Sequence, residues 1–172
     1  LFQAYGFTEW EILKDLLDTM SGKYLLSATH KLLKDRTALL LSSLEMEEDT
    51  LDAYAIPINT TTVRNPITLD FVEVDYRNEN VPTIIYVDKL ALKYPLVVRK
   101  WKKGDYFYPI GFSGKKKLAK YFKDEKVPVV LKEKQWLLCS GDDIIWIIGR
   151  RADERFKVQS TTKEIFKIEV TL

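Results

Sequence analysis

The 172-residue chain is 46% hydrophobic and 30% charged, an ordinary globular composition that excludes wholesale disorder. Its one cysteine, Cys139, and one histidine, His30, exclude an internal disulfide and a cysteine-rich zinc site, and suit a reducing cytoplasm. The net charge is only +2, and no apolar run approaches the roughly 20 residues that a membrane helix needs.

The first predicted element is a short amphipathic helix over about Glu9 to Met20. "TEWE" reads as a capping box of Thr8 and Glu11, and Phe7, Trp10, Leu13, Leu16, Leu17 and Met20 recur at helical spacing before Gly22. The chain enters this pattern directly from Leu1, with no leader-like segment, which points to a piece of a longer polypeptide. "GKYLLSATHKLLKDRTALLLSS" reads as two strands of a meander about the turn "KDR". "EMEEDT" is an acidic, solvated loop. "DAYAIPI", "ITLDFVEVDY", "TIIYVD" and "LVVRKW" continue as strands of an antiparallel sheet.

Charge divides the chain. Residues 1–95 carry nine basic and fifteen acidic side chains, and residues 96–172 carry eighteen and ten. The expected organisation is therefore a helix plus β-rich middle module over 1–95 and a small α+β C-terminal domain over 96–172, an α+β chain overall. In the second part "KKKLAKYF" reads as helix, and "DEKVPVVLKEK" as the start of another with Asp124 as its cap. "QWLLCSGDDIIWIIG" reads as a strand, a turn and a strand, and "EIFKIEVTL" as a closing strand.

The stretch from Arg99 to Lys126 holds ten Lys or Arg and only three Asp or Glu. Segregated charge of this kind points to a polyanionic partner, against the plainer reading of a solvated lysine surface. Lys115, Lys116 and Lys117 fall at the predicted helix start, where cations are unfavourable unless a phosphate joins them. Arg99, Lys100, Lys102, Lys103, Lys120 and Lys123 extend the basic side. Phe107, Leu118 and Phe122 are expected in the core, leaving Tyr106 and Tyr108 as ring contacts for unpaired bases. Asp105, after Gly104, is expected to hold backbone amides in a turn. No catalytic constellation stands out: His30 lacks a nucleophile pattern, Asp142 and Asp143 sit at a hairpin tip, and no phosphate-loop or dinucleotide fingerprint occurs.

"RKWKKGDYFYPIGFSGKKKLAKYFKDEKVP" resembles the C-terminal domain of bacterial tRNA(Ile)-lysidine synthetases. The resemblance rests on Arg99, Gly104-Asp105, Phe107, Pro109, Gly111, Lys116-Lys117-Leu118, Phe122, Asp124, and Lys126 with Pro128. "IIWIIGRRADERFKV" adds Gly149, Arg150, Arg155 and Val158, and "YGF", "SGKYLLS" and "KDRTALLL" are similar to the segment upstream of that domain.

The resemblance implies a portion of an enzyme that uses ATP, with Mg, and free lysine to convert the wobble cytidine of tRNA(Ile) to lysidine. That chemistry belongs to an N-terminal ATPase domain, whose Ser-Gly-Gly-x-Asp-Ser loop has no counterpart in these residues. The portion here is expected to be non-catalytic, without a cofactor of its own, cytoplasmic and not membrane-bound. Its expected work is to hold tRNA, chiefly the acceptor stem, beside that ATPase domain. The implied contacts are Arg99, Lys102, Lys103, Lys115, Lys116, Lys117, Lys120, Lys123, Arg150 and Arg155, with Gly104, Asp105, Pro109 and Gly111 shaping the turn. A freestanding RNA- or protein-binding module, or an enzyme acting through Asp105 and a lysine, are the other readings.

Overall fold

A computed structural model describes residues 2–43 and 53–171. Its contacts form two compact units, residues 1–50 with 128–132 and residues 51–127 with 133–172. The predicted acidic loop "EMEEDT" lies outside the described residues. Among the described residues no helix is long and apolar enough to cross a membrane.

The first unit opens with a 3-10 turn over Phe2–Tyr5 and the helix α1 (Trp10–Asp18). Phe7, Leu13 and Leu16 bury against Leu32, so only part of the predicted apolar stripe is covered; Trp10, Leu17 and Met20 are exposed. The expected capping box does not form. Glu9, in an extended conformation, takes the N-cap position and its side chain makes no capping bond. The helix also stops before Met20, because the Thr19 amide and hydroxyl both donate to the Leu16 carbonyl.

Three strands follow where two were expected: β1 (Tyr24–Leu26), β2 (His30–Asp35) and β3 (Ala38–Ser43), antiparallel in that order. The extra strand arises from a side-chain turn. The Ser27 hydroxyl oxygen accepts the Thr29 and His30 amides at 3.3 and 2.9 Å and reverses the chain between β1 and β2. His30 packs its ring edge-on against Tyr5, at 4.9 Å between centroids.

In the second unit the strands are β4 (Ala53–Ile56), β5 (Thr62–Val63), β6 (Thr68–Val74), β7 (Ile84–Asp88) and β8 (Leu96–Lys100). The ribbon β9 (Tyr106–Phe107) and β10 (Lys116–Lys117) comes next, then the helix α2 (Leu118–Asp124). A short helix α3 (Val129–Glu133), of which residues 129–132 belong to the first unit, precedes β11 (Trp136–Ser140), β12 (Asp143–Ile147) and β13 (Ile165–Thr171). Asp124, expected to cap the helix after it, is instead the last residue of α2.

Two four-stranded antiparallel sheets result, in the orders β12-β11-β8-β4 and β5-β6-β13-β7. Strands from the acidic part of the chain thus pair with strands from the basic part. β4 bonds to β8, and β13 inserts between β6 and β7. The α+β class is that expected, with few helices and several antiparallel sheets.

The main core gathers Ile56, Leu96, Val98 and Leu138 from one sheet and Leu69, Phe71, Ile85 and Ile168 from the other. β11 is buried on both faces, which explains its unbroken apolar run. Leu138 joins this core, while Leu137 and Cys139 turn the other way. A bulge between Leu138 and Cys139 leaves Ile145 unpaired, so the adjacent Ile145 and Trp146 both enter the main core.

A second core covers the opposite face of β11 and β12. There Phe107, Leu118, Tyr121, Phe122 and Val127 pack on Leu137, Cys139, Ile144 and Ile147. The ribbon and α2 are thereby fixed as an outer layer on the sheet. Burial pushes the Cys139 thiol up to about 11, which leaves it protonated and unreactive at neutral pH.

Phe122 has no solvent exposure and touches both Trp101 and Tyr121 edge-on or tilted. Phe122→Ala is therefore expected to cost about 3–5 kcal/mol in a urea titration, and Met20→Ala under about 0.5 kcal/mol. Equal midpoints for the two variants would contradict this packing.

Candidate nucleic-acid interface

One carboxylate ties the outer layer to β8. Gly104, at φ +101°, turns the chain after β8, and the Asp105 amide closes the turn on the Lys102 carbonyl. Asp105 Oδ2 accepts the Lys102 amide at 2.8 Å. Both of its oxygens accept the Arg99 guanidinium, at 2.8 and 2.9 Å. The Asp105 carbonyl accepts the amide of Leu118, the first residue of α2, at 2.9 Å. One residue thus ties the end of β8, the turn and the start of the helix.

The pair is nearly enclosed: the Arg99 and Asp105 side chains keep 15% and 8% of their exposure. Burial alone would push the Asp105 carboxyl up. Its bonds from Arg99 and the Lys102 amide outweigh this and hold it below the usual carboxylate range. The hydrogen bond to Asp105 raises Arg99 in turn. Arg99, a nucleic-acid contact by sequence, has its planar fork committed to this turn.

Lys115, Lys116 and Lys117 do not form the first turn of a helix. Lys116 and Lys117 are the strand β10, paired with Phe107 and Tyr106. Lys117 is extended at the N-cap, and the seven-residue α2 starts only at Leu118. Pairing with β9 keeps the lysines extended, and the Asp105 carbonyl takes the first helical amide. The phosphate cradle expected there is not built.

Lys116 is 17% exposed and binds Asp124 at 2.8 Å. It also lies over the rings of Phe112 and Tyr121, at 5.4 and 5.8 Å. Lys120 and Lys123 project from the outer side of α2, away from buried Leu118, Tyr121 and Phe122. Asp124 is held below the usual carboxylate range first by its Lys116 hydrogen bond, and then by the charges of Lys116, Lys120 and Lys123. The ammonium groups of Lys102, Lys103, Lys117, Lys120 and Lys123 are exposed and form no ion pair among the described residues.

Beside these lysines runs a strip of rings and cations. Lys115 sits 4.9 Å over Tyr106, Tyr106 meets Tyr108 edge-on at 6.2 Å, and Arg155 lies 4.5 Å over Tyr108. Tyr106 is 43% exposed, as expected from the sequence, and so is Phe112 at 52%, which the sequence pattern does not single out.

Arg155 is anchored like Arg99. It donates to buried Asp153 at 2.9 and 3.0 Å and to Asp143 at 2.6 Å. Asp153 also accepts the Tyr108 and Arg155 amides. Pro109 is buried and bridges to Asp153, while Gly111, at φ +78°, donates its amide to Glu154. Arg150 is half-buried, with Nε donating to Gln135 at 2.8 Å.

Two further arginines, Arg151 and Arg77, are not among the contacts expected from the sequence. Arg151 donates to the Ile110 carbonyl at 3.1 Å. Arg77 is exposed on the loop after β6. The doublet "RR" at 150–151 is the sequence signal for the first. Arg77 lies in the acidic part, where a charge count conceals it.

Asp105→Asn leaves Arg99 unmatched in a nearly closed site and is expected to cost about 3 kcal/mol at pH 7. The Asp105 carboxyl titrates lower folded than unfolded. Its stabilisation is therefore complete above the unfolded value, about 3.9, and fades as pH falls through the lower, folded one. Urea titrations should show the gap between parent and variant at pH 7 narrowing below about pH 4; a gap independent of pH would contradict the pairing.

Two family models match the chain: the one described as TilS substrate binding domain over residues 1–44, and the TilS substrate C-terminal domain over residues 96–170. The tRNA(Ile)-lysidine synthase of Parabacteroides distasonis is 39% identical over 172 residues, covering 96% of this chain and 39% of the relative. That of Bacteroides thetaiotaomicron is 34% identical over 163 residues, covering 93% and 36%. A crystal structure of a TILS C-terminal domain superposes with a TM-score of 0.58 at 20% identity. It covers 69% of this chain and 96% of the other, a likeness of fold. The chain spans about two fifths of the length of these curated relatives. On these matches the chain belongs to the tRNA(Ile)-lysidine synthase family, in its substrate-binding and C-terminal parts.

Proposed function

We propose that the chain is the tRNA-holding part of a tRNA(Ile)-lysidine synthase, and that the ribbon-and-helix layer takes the acceptor stem. The observation that carries this reading is the group of exposed ammonium groups on one rigid layer: Lys102 and Lys103 on the turn, Lys117 on β10, and Lys120 and Lys123 on α2. Double-stranded RNA offers phosphates and shape more than base edges, and ammonium groups on a fixed layer match such a target. Each phosphate contact releases counterions, so binding by this layer is strongly salt-dependent.

Arg99 and Arg155 serve the layer by holding it, through Asp105 and through Asp153 with Asp143. Tyr106, beside Lys115, offers an exposed ring edge to an unpaired nucleotide. In the complete cytoplasmic enzyme, ATP with Mg adenylates the wobble cytidine of tRNA(Ile), and the amine of free lysine displaces AMP to give lysidine. The N-terminal ATPase domain carries out those steps, and the ribbon-and-helix layer keeps the tRNA in place.

Lys117→Ala, Lys120→Ala and Lys123→Ala combined are expected to weaken tRNA(Ile) binding. They should reduce the slope of log affinity against log salt by about 0.7 to 0.9 for every phosphate that is no longer neutralised. A salt series of filter-binding titrations checks this. An unchanged slope with reduced stability would return these lysines to ordinary solvated surface, and full binding by an unrelated acidic protein would favour a protein-binding module.

A further inference from the structure

Two clefts in the second unit adjoin, apart from the lysine-bearing layer. Their volumes are about 300 and 270 Å³, and Asn80 and Ile110 line both. Arg77 and Lys157 stand at the first, Arg150 and Arg151 at the second, and Glu79 is the one acid lining either. Their walls also include Ile85, Ala152 and Val158. Each is near the lower end of the size range of small-molecule sites, which combine apolar walls with a few placed polar groups.

Arg150 and Arg151 are held without being neutralised: each is hydrogen-bonded, and neither forms an ion pair among the described residues. Arg151 uses one donor on the Ile110 carbonyl. Arg150 uses Nε on Gln135, whose own amide is fixed by the Trp136 and Ile148 carbonyls. A guanidinium has five N–H donors, so both keep donors for a ligand. Arg77 makes no hydrogen bond or ion pair among the described residues, whereas Lys157 is paired with Glu154 at 2.9 Å. Asn80 accepts the Tyr86 amide through Oδ1, which leaves its amide nitrogen to donate. Planar, doubly donating arginines suit phosphate oxygens, and an apolar wall with an amide beside it suits a base.

We propose that the joined cleft binds one unpaired ribonucleotide, with its phosphate at Arg150 and Arg151 and its base against Ile110 and Asn80. Its source as part of a bound RNA rests on the tRNA-binding reading; the nucleotide site itself does not.

Titration of the full, 15N-labelled chain with cytidine 5′-monophosphate tests the site. The nucleotide is expected to shift the amide resonances of Asn80, Ile110 and Arg151, and inorganic phosphate to bind at least tenfold more weakly. Arg77→Gln with Arg151→Gln should lower the nucleotide affinity at least tenfold. Arg77→Gln alone, at an exposed position, should lower it measurably and serves if the double variant fails to fold. The combined lysine variant on β10 and α2 should leave it unchanged.

No shift at these amides, shifts confined to the lysines, or equal affinity for phosphate and nucleotide would overturn the nucleotide site. Because the titration contains no tRNA, its failure leaves tRNA binding standing. Loss of tRNA binding with the nucleotide shifts intact would overturn only the tRNA reading.

Discussion

A carboxylate six residues beyond an arginine decides where the basic stretch goes. Asp105 draws in Arg99 from β8, closes the Lys102 turn, and lends its carbonyl to the start of α2. Without that clasp, the ribbon and helix would rely on the burial of Phe107, Leu118, Tyr121, Phe122 and Val127 to find the sheet. With it, the backbone that carries Lys102, Lys103, Lys117, Lys120 and Lys123 is fixed in place, though these side chains form no ion pair among the described residues. Ordering is what makes the arrangement useful. A flexible lysine tail would lose its conformational freedom on binding, whereas this layer has lost much of it on folding.

The two kinds of cation divide the work. Arg99, Arg150 and Arg155 are tied into hydrogen-bonded positions by Asp105, Gln135 and Asp153. A guanidinium can do this because its planar fork matches two oxygens at once and it never loses its proton. The lysines, as compact hydrated charges, stay in solvent and keep their attraction for a polyanion. Lys116 does not: it is paired with Asp124 and lies over the rings of Phe112 and Tyr121. Sequence counting treats all of these as equal positive charges, and the structure separates them by what they touch.

Much of the second unit was legible. The strands β4, β6, β7, β8, β11, β12 and β13 follow from their apolar runs, and Phe107, Leu118 and Phe122 lie in the core as their spacing implied. Asp105 holds the Lys102 amide, the turn chemistry that Gly-Asp signals. What failed depended on partners distant in sequence. "KKK" has helix-compatible neighbours, but pairing with β9 makes Lys116 and Lys117 a strand. Thr8 and Glu11 have the spacing of a capping box, yet the helix begins one residue later than that box requires. The change of charge after Pro95 is likewise a boundary of charge and of the family match, while hydrogen bonds from β4 to β8 and from β6 and β7 to β13 run across it. Charge patterns carry no information about strand pairing, which is set by burial of alternate side chains.

Whether Arg99 acts by holding the layer or by touching RNA decides between the two roles a cation can play here. The measurement is the salt dependence of tRNA(Ile) binding by Arg99→Gln, taken where that variant remains folded. A holding role predicts weaker binding with an unchanged log–log slope, because no phosphate contact has been removed. A slope reduced by about 0.7 to 0.9 would place the guanidinium on a phosphate and contradict the holding role.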